Sequence, residues 1–286
     1  MKTGIMENIR WPKALKGLVE VSSVSKRAKK GFTLIELLVV IAIIALLLSI
    51  LTPALNKVKE QAKTLVCRTN TKQLNMALML YSNEYNNKGL NSEGGVDYWP
   101  MQIAPYFGDN VYKDDPEKMK EGVMAILYCP STKEPLIETG GSWGTAKNQW
   151  RYHVVGSEGS YCLNTWIGGW DFDEQIFYNI IKEKDILANS FRDSVPGRAD
   201  IGVIADGTWL DFVPMNNYGY DPENIDPEIG GFDNGLGRIH IDRHNKGINV
   251  SFADSHAELV KLKDIWKLRW SKTYKPENPF PDTTNP

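Results

Sequence analysis

Cysteine and histidine are scarce in these 286 residues, three of the first and four of the second. Three thiols (Cys67, Cys129 and Cys162) cannot build a disulfide scaffold, and none stands in a CxxC pair. In an oxidising compartment they allow one bridge and one free thiol, and their spacing does not choose among the three pairings. An excess of one sign of charge is also nearly absent overall. The net charge of −2 and a pI near 6.1 remove the electrostatic footprint of a nucleic-acid binder. Neither HExxH nor a phosphate-cradling glycine loop occurs, and no enzyme is expected. What is present suffices for a core: 42% of residues are hydrophobic and 24% charged, which excludes disorder of the whole chain.

The small net charge hides an asymmetry. Residues 1–31 hold eight Lys/Arg against Glu7 and Glu20, a net of +6, while the remaining 255 residues carry 25 basic and 33 acidic side chains, a net of −8. Directly after the basic head comes LLVVIAIIALLLSIL, residues 37–51, with Ser49 as its one polar member. With its flanks the apolar stretch reaches about twenty residues, roughly the thickness of a bilayer core at ~1.5 Å per residue. A buried core helix would need a large domain wrapped around every face, but polar and charged sequence lies on both sides. A cleaved secretory signal would end in a small-residue site, whereas LTPALNKVKEQAK continues as helix. A membrane helix is therefore expected. Lys26, Arg27, Lys29 and Lys30 keep its N-terminus in the cytoplasm. Glu36 breaks the apolar pattern near the inner edge, where a carboxylate costs about 2.5–3.5 kcal/mol on insertion scales.

Lys29-Lys30-Gly31-Phe32-Thr33-Leu34-Ile35-Glu36, followed by the long apolar run, resembles the N-terminus of type IV prepilins and type II secretion pseudopilins. The resemblance implies cleavage between Gly31 and Phe32 by a bacterial prepilin peptidase, then methylation of the Phe32 amine by the same kind of enzyme. Glu36 would occupy the family's assembly glutamate, and Pro53 its helix-bending proline. Physically, the new amine of one subunit can neutralise Glu36 of a neighbour as helices stack with an offset. The hydroxyl of Thr52 is placed to satisfy part of the backbone that Pro53 frees. Further phrases match a prepilin-like subfamily: Cys67-Arg68-Thr69-Asn70, Gln73-Leu74 to Tyr81, Tyr98-Trp99-Pro100 and Cys129-Pro130-Ser131. A C-terminal segment resembles its His-(nine residues)-Asp-Gly motif, with His244 and Asp254 correctly spaced and Ser255 in place of glycine. Because Cys67 and Cys129 both fall in such phrases, the resemblance implies a bridge between them.

The expected organisation is a leader over 1–31, a transmembrane and assembly helix over 32–53, and an amphipathic continuation over 54–89. An extracytoplasmic domain over 90–272 and a Pro-rich tail over 273–286 follow. In the continuation, Leu55, Val58, Ala62, Leu65, Val66, Thr69, Met76, Ala77, Leu80 and Tyr81 recur at helical spacing and are expected to pack on the soluble domain. Residues 123–129, 201–205, 248–253 and 256–260 are the clearest strand candidates, with Asp254-Ser255 as a hairpin turn. The fold class is α+β: a long helix, half in the membrane, packed on a small antiparallel sheet with long loops.

The expected function is that of a structural subunit of a pilus or secretion pseudopilus, with other pilin-like subunits and the inner membrane as partners. Two rivals come from other classes. A membrane-tethered carbohydrate-binding module that does not polymerise would use Trp143, Trp150, Trp166, Trp170 and Trp209, rings that more often anchor a core. A metal-dependent hydrolase would use His240, His244 and Asp254. Asp221, Glu223, Asp226, Glu228 and Asp233 crowd a loop whose hard oxygens suit calcium, the one cofactor considered. The major pseudopilins hold calcium in a C-terminal loop, yet no EF-hand spacing occurs here, and a solvated acidic loop is the simpler expectation.

Overall fold

A computed structural model describes residues 32–85, 90, 99–107, 123–137, 141–152, 157–167, 199–214, 225–231, 235–272 and 274. Gly31, Asp221, Glu223, Asp233, Trp170 and the tail beyond 274 lie outside that set. The chain divides into two compact units, Met1–Thr52 and Pro53–Pro286.

Helix α1 runs over Leu34–Glu84, 51 residues with Pro53 inside it. Its first turn is closed by a capping box. The Thr33 hydroxyl accepts from the Glu36 N–H at 3.3 Å, and Glu36 Oε2 accepts from the Thr33 N–H at 2.9 Å and from its hydroxyl at 2.8 Å. In the first unit every residue from Phe32 to Thr52 is exposed, covered by none of the described residues. This segment is long and apolar enough to cross a membrane. The helix continues unbroken through Pro53 and does not melt there. The Thr52 hydroxyl bonds the Leu48 carbonyl at 2.7 Å, one residue short of the Ser49 carbonyl that the proline leaves without its amide partner.

In the second unit, residues 53–84 of α1 lie against a five-stranded sheet. The strands are β3 (Tyr161–Asn164), β4 (Gly202–Asp206), β5 (Asp211–Phe212), β6 (Gly247–Phe252) and β7 (Ala257–Lys261). Their order is β5-β3-β4-β6-β7, antiparallel except for the β3–β5 pair. A separate hairpin pairs β1 (Trp150–Tyr152) with β2 (Ser157–Gly159). The result is α+β in a pilin-like arrangement.

Alternation along β6 shows how the sheet is covered. Ile248, Val250 and Phe252 point into a core with Ile239, Ile265, Trp266 and Trp270. Asn249 and Ser251 occupy the other face, where Asn249 Nδ2 donates to the Thr64 carbonyl of α1 at 3.3 Å and Asn249 Oδ1 accepts from Arg68 Nε at 3.5 Å. A second core holds Leu74, Leu78 and Tyr81 of α1 with Trp99, Leu127, Trp150, Tyr161 and Leu163.

Two expectations are corrected. The apolar run 123–129 is not a strand: Val123–Leu127 is a 3₁₀ helix, with the Tyr128 N–H bonded to the Ala125 carbonyl at 3.1 Å. Periodicity does not tell short apolar runs apart. The buried stripe of α1 also coincides with the expected one only at Ala77 and Tyr81. Cys67, Thr71, Leu74, Asn75, Ala77, Leu78 and Tyr81 face the domain, while Leu55, Val58, Leu65, Val66, Met76 and Leu80 are exposed. At about 100° per residue the exposed apolar residues fall in an arc of about 100°, nearly opposite the buried one. Polar residues won the packed face because they have partners there, such as Asn75 Nδ2 on the Phe252 carbonyl at 2.6 Å.

Candidate functional site

Two places in the molecule concentrate chemistry, and each is described within its own unit. At the N-terminal end, the capping box leaves Phe32 at the threshold of the helix and puts Glu36 on its third position. Both Glu36 bonds go to Oε2. Thr33 was not singled out in the sequence, although the T-x-x-E spacing ahead of an apolar run is itself the signal for such a box.

In the second unit, Cys67 of α1, Cys129 after the 3₁₀ turn, Asp206 at the end of β4 and His244 before β6 converge. Each offers one ligand atom, and these atoms lie within 4.8 Å of one another. All four are buried, at 0%, 1%, 0% and 4% exposure respectively, which denies a substrate any approach. Cys129 Sγ lies 3.4 Å from His244 Nε2, and Asp206 Oδ2 lies 3.4 Å from the same nitrogen. Cys67 Sγ donates to Asp206 Oδ1 at 3.1 Å and accepts from the Tyr161 hydroxyl at 3.3 Å. The surroundings hold each group in place. The Asn249 N–H donates to Asp206 Oδ2 at 2.6 Å, and Arg243 Nη1 reaches Oδ1 at 3.4 Å. Thr64 Oγ1 stands 3.2 Å from His244 Nδ1.

These neighbours shift the protonation equilibria. Burial pushes the Asp206 carboxyl up, but the charges of His244 and Arg243 with the Asn249 amide outweigh it and bring it down to about 2. Burial pulls His244 down, and Asp206 and Cys129 more than reverse this, to about 9. The Cys129 thiol is pushed up by burial and brought down to about 6 by hydrogen bonds with Cys67 and His244. Cys67 is held well above the usual thiol range, first by burial.

A family model described as the prokaryotic N-terminal methylation motif matches residues 26–52. The chain carries a prepilin-type N-terminus. No curated protein and no solved structure matches the chain. Of the residues expected in the prepilin-type segment, Phe32 and Glu36 lie at the start of α1 and Pro53 lies inside it.

Beyond that segment the sequence-derived sites scatter. Cys67 and Cys129, the pair implied to bridge, lie together as free thiols. His244 and Asp254 flank opposite ends of β6 and do not form one site. Asp254 instead holds His256, its Oδ1 2.5 Å from Nδ1, on an exposed turn. Ser255 in that turn adopts φ 70°, so the position does take the left-handed conformation that glycine favours. His240 packs against Trp266 and is not a member of the cluster around His244. Of the acidic loop, Asp226 Oδ1 accepts from the Glu228 N–H at 2.9 Å and Glu228 pairs with Lys147, so both described carboxylates are engaged in a turn and an ion pair. Trp150 and Trp166 are core rings, and Trp143 stacks on Trp209 with centroids 4.5 Å apart.

The sequence also contains Gly140-Gly141-Ser142-Trp143-Gly144, the G-x-S-x-G spacing of a nucleophile elbow. Ser142 instead lies in a bridge to Arg151, with its hydroxyl on the Trp143 carbonyl at 3.3 Å, and no strand-to-helix turn presents it. The member of the buried cluster that the sequence reading does not single out is Asp206. Nothing in its local pattern marks it as a partner of Cys67, 139 residues away.

Proposed function

We propose that this chain is a prepilin-like structural subunit, not an enzyme. It is cut between Gly31 and Phe32 by a prepilin peptidase and assembles through α1 with other pilin-like subunits into a type IV pilus or type II secretion-type pseudopilus. The observation that carries this is α1 itself: a methylation-motif start, then a helix apolar nearly all round over Leu37–Leu51, then a stripe of exposed apolar residues on the face turned away from the sheet. Among the described residues nothing covers this apolar surface. Lipid covers only the first part, and side-by-side helices of further copies cover both.

The basic residues before the helix keep the N-terminus cytoplasmic and the sheet domain outside the inner membrane. Glu36 Oε1, which the capping box does not use, is the oxygen offered to the amine of a neighbouring Phe32. Two variants separate these roles. Thr33→Val breaks the cap and keeps the charge, and Glu36→Gln keeps a capping side chain and removes the charge. Co-expressed with a prepilin peptidase, both are expected to insert and be cleaved at Phe32, by N-terminal sequencing. Only Glu36→Gln is expected to be lost from sheared filaments. Filaments in which Glu36→Gln is as abundant as the unmodified chain would refute the pairing.

A further inference from the structure

The four convergent donors of the second unit call for an account that filament assembly does not supply. A nucleophilic relay is one reading of Cys129, His244 and Asp206, but it requires the thiol and the carboxylate on opposite ring nitrogens. Here both approach Nε2. Donors gathered around one side of an imidazole describe a point in space that they share. We propose that this point is a structural zinc site, with Cys67 Sγ, Cys129 Sγ, Asp206 Oδ2 and His244 Nε2 as its four ligands.

The geometry agrees. Metal–ligand lengths of about 2.0–2.3 Å at tetrahedral angles give donor–donor edges of about 3.3–3.8 Å. The Cys129–His244 and His244–Asp206 edges are both 3.4 Å, and all four ligand atoms fall within 4.8 Å of one another. Two soft sulfurs with an imidazole select zinc over calcium or magnesium. Four protein ligands, all buried, leave no open position, which marks a structural and not a catalytic ion.

The surrounding shell is arranged for the same end. The single proton of the Thr64 hydroxyl is given to the Glu60 carbonyl at 2.9 Å, so toward His244 Nδ1 that oxygen accepts. Nδ1 therefore carries the ring proton, and Nε2 turns its lone pair into the cluster when the ring is neutral. Asp206 is fixed by the Asn249 amide. Charge balances as well: two thiolates and a carboxylate exceed the ion by one negative charge, and the guanidinium of Arg243, its side chain fully buried 3.4 Å from Asp206, supplies the positive one. Binding releases the protons of the two thiols, and that of the imidazole where it is charged, to solvent. A Cys67–Cys129 disulfide would use two of the four groups and leave only Asp206 and His244 as donors.

The test uses the full chain, produced with a tag free of histidine and purified in detergent without chelator. Elemental analysis is expected to find about one zinc per chain. Zinc should be lost in Cys67→Ser and in His244→Ala and kept in Cys162→Ser, whose sulfur donates to the Trp209 carbonyl outside the cluster. Cobalt exchanged into the unmodified chain reports without relying on any variant. Visible bands of a tetrahedral ion with a thiolate charge-transfer band are expected. A reduced chain that takes up neither metal would overturn the proposal. So would zinc retained by both ligand variants, or a native chain lighter by two hydrogens with Cys67 and Cys129 peptides cross-linked.

Discussion

Leu65→Ala and Leu74→Ala are the same substitution made on opposite faces of one helix. Leu74 is 0% exposed within the helix-facing core, and its truncation removes buried methyl groups and leaves a cavity, a loss of about 2–5 kcal/mol. For a domain of this size each kcal/mol lowers the melting temperature by about 2–4 °C, so a fall of roughly 4–20 °C is expected. Leu65 is 62% exposed on the outward stripe, and its truncation should change the stability of the isolated chain by no more than about 0.5 kcal/mol. If a neighbouring subunit covers it, the burial forgone on assembly is about 1–2 kcal/mol. That corresponds to about a five- to thirtyfold higher subunit concentration for the same degree of assembly. Thermal unfolding of the detergent-purified chain reads the first quantity, and sheared-filament yield against total subunit reads the second. A Leu65→Ala chain that melts as low as Leu74→Ala, or a Leu65/Met76/Leu80 triple alanine variant that assembles normally, would refute the two-faced helix.

Two further outcomes concern the fold that holds the site. A methyl group added at Gly202 would meet the ring of buried Trp270 at 2.2 Å. Gly202→Ala should therefore cost about 1–3 kcal/mol through overpacking and alter the near-ultraviolet circular dichroism of the tryptophans; an unchanged melting temperature would contradict that packing. Ser255 holds φ 70° at the β6–β7 turn, outside helix and strand. Ser255→Gly relieves a left-handed strain of about 1–2 kcal/mol, less what Gly loses in unfolded-chain entropy. A small rise in melting temperature is expected, and a fall of several degrees would show that the hydroxyl's 2.8 Å contact with Met79 matters more.

Much of this architecture was legible because some of its causes are local. The apolar half of α1, long enough to cross a membrane, is visible in composition alone, as fifteen residues with one polar member. Strands β4, β6 and β7 declared themselves through short apolar runs, the last two joined by an Asp-Ser turn. The packed face of α1 did not, because apolarity was used as the guide to burial. Thr71 and Asn75 are fully or almost fully buried, Thr71 with its hydroxyl on the Arg68 carbonyl of its own helix and Asn75 with a partner, the Phe252 carbonyl, that only the tertiary structure supplies, while the leucines and valines most conspicuous in the pattern face outward. The buried cluster was half visible: Cys67, Cys129 and His244 were each noticed in separate phrases, yet their meeting point depends on Asp206. Chain separations of 115 residues between Cys129 and His244 and 139 between Cys67 and Asp206 lie beyond any local spacing rule.

The contact between α1 and the sheet has a mechanical consequence. An oily seam resists separation but lets one partner slip or rotate against the other at small cost, since methyl groups have no preferred azimuth. Here Asn75 on the Phe252 carbonyl, Asn249 on the Thr64 carbonyl and Arg68 on Asn249 set directional teeth along that seam. The upper half of the rod is keyed to its head like a shaft in a slot, so tension or twist entering along its axis passes to the sheet without lost motion.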